Sequence, residues 1–140
     1  MSTDKKEYGI SVIMPCYNTE QYVEETLKSV LNQSFKDYEI ICLNDGSTDG
    51  TLEILKRYQQ SYPNIRVISS ENHGVAYQRN TGVQCAQGKY IYYTVFIKKE
   101  SNPWFIDAYD KTMNKNNSDF EQHNKIQKRS QLSESFQKRI

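Results

Sequence analysis

A chain of 140 residues is long enough for one domain with a hydrophobic core and too short for two ordinary ones. Eighteen Lys and Arg against seventeen Asp and Glu leave a formal charge of +1, which excludes a global field drawing the protein toward nucleic acid or anionic lipid. The polar start MSTDKKE is no signal peptide, and the longest apolar or tyrosine runs, YIYY and, after Thr94, VFI, fall far short of the ~20 residues needed to span a bilayer.

A soluble, cytoplasmic protein with at most peripheral membrane association is expected. Three cysteines, Cys16, Cys42 and Cys85, are an odd number without C-x-x-C spacing. Cys16 and Cys42 sit at or beside apolar runs, which suits reduced thiols acting as small hydrophobes.

ISVIM, Ile10 to Met14, is a β-branched run that stops at Pro15 and predicts a buried strand. From Tyr22 to Asn32, Val23, Leu27, Val30 and Leu31 form one helical stripe. YEIICL predicts the second strand. A second helix follows, with Leu52, Leu55, Tyr58 and Tyr62 on one side, Asp49 capping its first turn and Pro63 ending it. IRVIS, Ile65 to Ser69, predicts a third strand. GVAYQRNTGVQCAQG reads as a third helix in which Ala76 and Ala86 permit close packing and Gly88 is the stop. KYIYYTVFI predicts a fourth strand, and WFIDAYDKTMNKNN a fourth helix. Residues 1–120 read as one domain, and 121–140 as a polar, basic tail that is weakly ordered or a short helix.

Strand and helix alternating at this pitch predict an α/β fold, a parallel sheet with helices on both faces. Right-handed crossovers bring the C-terminal ends of the strands to one edge, where such sheets bind ligands. The loops after Met14, Leu43, Ser69 and Ile97 are then expected to converge. The generic α/β pattern alone would also suit a signalling or dinucleotide domain, but no G-x-G-x-x-G follows the first strand, which argues against a dinucleotide.

The turn CLNDGSTDGT, Cys42 to Thr51, is the chemically informative stretch. Gly46, Asp49 and Gly50 are explained by an ordinary strand-to-helix connection. A calcium loop fails, because Lys56 stands where the twelfth position needs a bidentate Glu. The strand-to-helix connection does not require Asp45, placed as the first residue past the strand, to be a carboxylate. A carboxylate there suits a planar N–H donor, such as the imide of uracil or the amide edge of guanine, with charge assistance strengthening the bond. Gly46 and Ser47 would let a ribose approach the backbone. On this reading Asp45→Ala removes nucleotide binding and leaves the fold intact.

SVIMPCYNTEQYVEETLKSVLNQSFKDYEIICLNDGSTDGT, with ENHGVAYQRNTGVQCAQGKYIYY, closely resembles the family 2 glycosyltransferases, inverting enzymes of GT-A fold that transfer a sugar from a nucleotide diphosphate donor. The resemblance covers Ile10 to Tyr93 and, more faintly, the stretch to Phe120. It implies a GT-A, Rossmann-like sheet truncated after its nucleotide-binding half. It also implies that Pro15, Tyr17 and Asn18 line the base pocket, that Tyr17 stacks on the base, and that Asp45 binds it. The family's E-N-x-G-x-x-x-A-R-N segment survives as Glu71, Asn72, Gly74, Arg79 and Asn80, with Gln78 where alanine is usual. That segment opens a helix N-terminus beside the donor, with Arg79 as a phosphate contact. A simple helix start accounts for Asn72 and Gly74 equally well, and a surface salt bridge for Arg79.

Family members usually follow the fourth strand with carboxylates that hold Mn or Mg against the diphosphate. Here the aligned residues are Thr94, Val95, Phe96, Ile97, Lys98 and Lys99, so no metal ligand and no cofactor are expected. No catalytic residue is identifiable, because the acceptor half that carries the general base has no counterpart in the sequence. Two functions stay open. The first is a glycosyltransferase of cell-surface polysaccharide or glycan synthesis, metal-independent, with Lys98, Lys99 and Arg79 neutralising the diphosphate. The second is a catalytically inactive nucleotide-binding fragment or pseudoenzyme. In both the partner is a nucleotide diphosphate sugar, a UDP-sugar being the leading candidate; no nucleic acid is implied and the acceptor is unknown.

Overall fold

The computed structural model describes residues 8–94 and the backbone of residues 126–128. In chain order the elements are β1 (Tyr8–Cys16), α1 (Val23–Leu31), β2 (Tyr38–Asp45), α2 (Thr51–Ser61), β3 (Ile65–Ser70), α3 (Val75–Cys85), β4 (Gly88–Tyr93) and β5 (Ile126–Lys128). They build one sheet in the order β3-β2-β1-β4-β5. The first four strands are mutually parallel and β5 runs antiparallel to β4. The alternation of strand and helix in the sequence is thus realised as βαβ units.

The period of two along each strand divides the core. Ile10, Val12 and Met14 of β1, with Ile40 and Cys42 of β2, face α1 and α2 and pack on Leu27, Val30 and Leu55. Ile13, Ile41, Leu43 and Ile91 face the other way, onto Val83 of α3. Helices therefore cover both faces. Every residue of β2 is buried, as a central parallel strand requires.

The strands run past their expected ends. β1 continues through Pro15 to Cys16, opposite Leu43 and Asn44. The Ile13 carbonyl accepts from Thr94 N at 3.0 Å, so residues 13 and 15 direct their backbone groups toward β4. Pairing on that side ends at Ile13 and Tyr93; the donor that Pro15 lacks would have had no ladder partner. β2 likewise includes Asn44 and Asp45, opposite Ser69 and Ser70. Asp45 is the last residue of the strand, not the first beyond it.

α3 corrects two expectations. Ala76 is exposed, and the close approach belongs to Gly82, where an added Cβ would stand 2.6 Å from Ile13 Cγ2. Gly88 does not stop the helix. Cys85 ends it, Ala86 turns extended at φ −68 and ψ 140, and Gly88 opens β4. The backbone of β1 at Ile10 and Ser11 leaves no room for a Cβ at Gly88.

Two carboxylates on one face of β2 hold the two ends of α3. Glu39 Oε2 accepts from Ser11 Oγ at 2.6 Å and from Gln87 N, just past the helix, at 2.6 Å. Glu39 Oε1 lies 3.3 Å from Arg66 Nη2, which also donates to Cys85 O. Asp45, six residues on, takes the N-terminal end. Six residues of strand span about 20 Å, close to the ~16 Å of an 11-residue helix.

The fourth strand as expected reaches Ile97, of which the part after Thr94 lies outside the described residues. So do the expected helix at 104–117 and most of the tail; Ile126–Lys128 form a strand.

Candidate functional site

Parallel strands deliver the loops after β1, β2 and β3 to one edge. There the first two are laced together. Asn18 N donates to Ser47 Oγ at 3.0 Å, and Asn18 Oδ1 accepts from Thr48 N at 2.8 Å. Thr19 N donates to Thr51 Oγ1 at 2.9 Å, and Glu20 Oε2 accepts from Gly50 N at 3.0 Å. Asp49 serves both loops: Oδ2 accepts from Glu20 N at 3.2 Å and Oδ1 from Thr51 N at 2.9 Å. The predicted cap therefore reaches the first helical residue, with Gly50 in the N-cap position itself. Burial pushes the Asp49 carboxyl up, but these donors outweigh it and hold the group below its ordinary range.

The third loop is tied to β2 through Asp45. Its side chain shares a face with Ile41 and Leu43, the face that α3 covers. Oδ1 accepts from His73 N at 2.7 Å and from Gln78 Nε2 at 2.7 Å. Oδ2 accepts from Gly74 N at 3.1 Å and from Asn72 Nδ2 at 3.3 Å. The side chain thus sits on the N-terminal end of α3, where backbone N–H groups and the helix dipole favour an anion. Burial acts to raise its carboxyl, yet the bonds from His73, Gln78 and Gly74 and the His73 charge bring it below the usual carboxylate range.

Gly46 follows from this closeness, and Gly74 from its backbone conformation. Gly46 has φ +71, and a Cβ there would lie 2.7 Å from Asn72 N; Gly74 has φ +94. Both conformations are costly for other residues. Asn72 also donates to the Asp45 carbonyl at 3.1 Å.

The residues singled out in the sequence fall into two clusters. Asp45, Gly46, Asn72 and Gly74 form one, and Asn18 with Ser47 the other. Tyr17 is 52% exposed at the rim, and Pro15 is half-buried at the end of β1. Arg79 stands apart from both: its guanidinium lies 5.2 Å over the Tyr93 ring, and among the described residues it makes no ion pair in place of the expected surface salt bridge. Gln78, His73 and Glu20 carry much of the geometry without having been singled out for it. The signal for Gln78 was its spacing, one helical turn past Gly74, together with an amide where the family pattern has alanine.

Residues 11–94 match the family model described as Glycosyl transferase family 2. The chain belongs to that family. Among curated relatives, glycosyltransferase GlyA of Streptococcus pneumoniae is 38% identical over 106 residues, 76% of this chain and 14% of GlyA. S. aureus TarS, solved in complex with UDP-GlcNAc, superposes with a TM-score of 0.58 at 32% identity, covering 72% of this chain and 32% of that one. The mannosyltransferase PcManGT from Pyrobaculum calidifontis, solved in complex with GDP-Man and Mn2+, gives a TM-score of 0.56 at 26% identity over 62% of this chain and 27% of that one. The family 2 chain described here thus spans a minor part of the length of the relatives it matches, and it shares their GT-A fold.

A divalent cation is implied by the family, and the described residues do not fit one. β4 delivers Thr94, buried against β1, to the ligand edge, and the five residues after it are Val95, Phe96, Ile97, Lys98 and Lys99. Of these, Thr94 is among the described residues, and its hydroxyl alone does not make a divalent-cation site. Among the described residues no three His, Cys, Asp or Glu side chains gather. No described helix is long and apolar enough to cross a membrane.

Proposed function

We propose that this domain is the nucleotide-binding part of a family 2 glycosyltransferase that takes a nucleoside diphosphate sugar at the C-terminal edge of its sheet. The observation that carries the proposal is the single edge at which Tyr17, Asp45, Gly46 and Ser47 meet, with three loops bonded to one another around them. Tyr17 is exposed and offers a stacking face for the base. Asp45 is buried with donors on both oxygens, so an imide or amide N–H of the base would take the place of its longest contact, Asn72 Nδ2 on Oδ2 at 3.3 Å. Pro15, Asn18 and Ser47 shape the pocket wall, and Asn72 and Gly74 stand beside it with their donors on Asp45. Arg79 lies over the Tyr93 ring and would have to leave it to meet the diphosphate.

The solved complexes of TarS with UDP-GlcNAc and of PcManGT with GDP-Man support a nucleotide sugar as the class of donor. We take a UDP-sugar as the first candidate, a cytoplasmic setting for the domain, and a surface glycan hydroxyl as the acceptor of the whole protein. One observation favours a second reading, nucleotide binding without transfer: no carboxylate lies between Thr94 and Lys99.

Isothermal titration with UDP and GDP, each with EDTA and with manganese, tests the proposal. Saturable binding of one nucleotide is expected, unchanged by manganese. Failure of both to bind overturns the proposal, and a tenfold gain with manganese overturns the reading of residues 94–99. Donor hydrolysis in the same samples separates transferase from binder.

A further inference from the structure

β3 lies at one end of the strand order β3-β2-β1-β4-β5, and an edge strand offers a row of backbone donors and acceptors with which another chain can pair. Ile40 N donates to Asn64 O at 2.9 Å. That bond turns the backbone groups of residues 64, 66, 68 and 70 toward β2 and those of Ile65, Val67 and Ser69 outward. Two of these three outward N–H groups are taken by the C-terminal end of α2 and the residue after it. Ile65 N donates to Tyr62 O at 3.1 Å, and Val67 N donates to Gln59 Oε1 at 2.7 Å. Acceptors 59 and 62 thus meet donors 67 and 65, an antiparallel run like that of a neighbouring strand. Gln59 is itself exposed, so fixing its long side chain on Val67 gives up rotamer freedom that solvent would otherwise leave it.

We infer that Gln59 guards the open edge of the sheet: its amide oxygen holds the Val67 N–H, through which β3 would otherwise pair antiparallel with β3 of a second copy of this chain. Val67 is the middle one of the three outward residues. In an antiparallel pair about a two-fold axis at Val67, the two Val67 residues exchange both N–H···O bonds, and Ser69 of each copy faces Ile65 of the other. The segment is therefore self-complementary, and Ile65, Val67 and Ile68 are of the β-branched kind that strands favour. Eighteen basic against seventeen acidic residues leave two copies little net charge to hold them apart. The Tyr62 carbonyl takes only a terminal donor of that ladder. Gln59 takes the central one, so a single side chain decides whether the axis of the pairing is free.

The test compares the full chain with Gln59→Ala, in which a better helix former keeps α2, and with Gln59→Glu, which retains an oxygen acceptor at the same reach. Amide hydrogen exchange at Val67 and Ser69 is followed by NMR in dilute and in concentrated samples, and the mass by sedimentation equilibrium. In dilute Gln59→Ala the Val67 amide should exchange roughly five- to tenfold faster than in wild type, the size of one lost bond. On concentration this variant should dimerise, and Val67 and Ser69 should gain protection together. Wild type and Gln59→Glu should stay monomeric, with Val67 protected throughout. Unchanged Val67 exchange in Gln59→Ala overturns the inference, and so does a folded Gln59→Ala protein that remains monomeric at every concentration. Association that leaves Val67 and Ser69 unprotected overturns it too, because the copies would then be joined elsewhere. Wild type that dimerises as readily as Gln59→Ala would show that no guard is present.

Discussion

Asn18 Oδ1 accepts the backbone N–H of Thr48 at 2.8 Å while Asn18 itself sits at φ 50. Its backbone N–H meanwhile donates to Ser47. Asparagine tolerates the left-handed region better than most residues, and here its side chain also joins the first two loops of the site. Asn18→Ala should lose both advantages and lower stability by about 2 kcal/mol, the sum of backbone strain and one lost bond. Asn18→Gly should recover the backbone share alone. Urea unfolding of the pair checks the split, and equal losses in the two variants would show that the backbone conformation is not the cost.

Asp45→Ala tests a carboxylate that closes β2 rather than lying beyond it. The substitution strands the N–H groups of His73 and Gly74 and the amide of Gln78, so stability should fall by about 3 kcal/mol along with nucleotide affinity. Asp45→Asn keeps the shape and half the acceptor capacity and should lose less. A fully stable Asp45→Ala protein, measured by denaturant midpoint, would contradict the bonding described here.

Gly82→Ala opposes two effects of known size. Alanine is favoured over glycine inside a helix by about 1 kcal/mol. The new methyl would stand 2.6 Å from Ile13 Cγ2 and 3.2 Å from Leu43 Cδ1, and overpacking of that kind costs about 1–3 kcal/mol. Both neighbours are fully buried, so the clash should win and the variant should melt below wild type.

Much of this arrangement was legible in the sequence. The strand and helix order followed from hydrophobic period, and the ligand edge from the handedness of βαβ units. Strand ends were not, because Asn44 and Asp45 are polar and their burial comes from β3 pairing and from α3, which no local pattern announces. α3 was legible as a helix but not in its seating: its buried residues are Gln78, Gly82 and Val83, two of which carry no hydrophobic signal. The bonds between the first two loops depend on residues 29 or more positions apart, beyond any window of periodicity.

Acid should weaken the site in a defined window. Asp45 and Asp49 both have native carboxyls below their ordinary values. A group depressed in the folded state contributes stability that is whole above its unfolded value, about 3.9 for Asp, and is lost as pH falls through the lower native value. Stability measured by urea midpoint should therefore be flat in these two groups above pH ~5 and decline below pH ~4. In Asp45→Asn the decline should be shallower; an identical acid limb would remove Asp45 from the account.

Thiol chemistry should follow burial. Cys16 and Cys42 are fully buried, and burial pushes the Cys42 thiol up to about 12 and raises Cys16 as well. Cys85, at the end of α3, is partly exposed. Iodoacetamide at pH 8 should label Cys85 in the native protein and reach the other two only in denaturant. Mass spectrometry of the three peptides reads the order, and early labelling of Cys42 would mean that β2 opens readily.

The carboxylates at either end of β2 give α3 an unusual kind of anchorage. Val83 is the one large apolar side chain among that helix's buried residues, so its seat depends on clasps at its two ends more than on grease along its length. Loosening either clasp should free the whole rod at once. A helix so mounted has little freedom to slide along the strands beneath it.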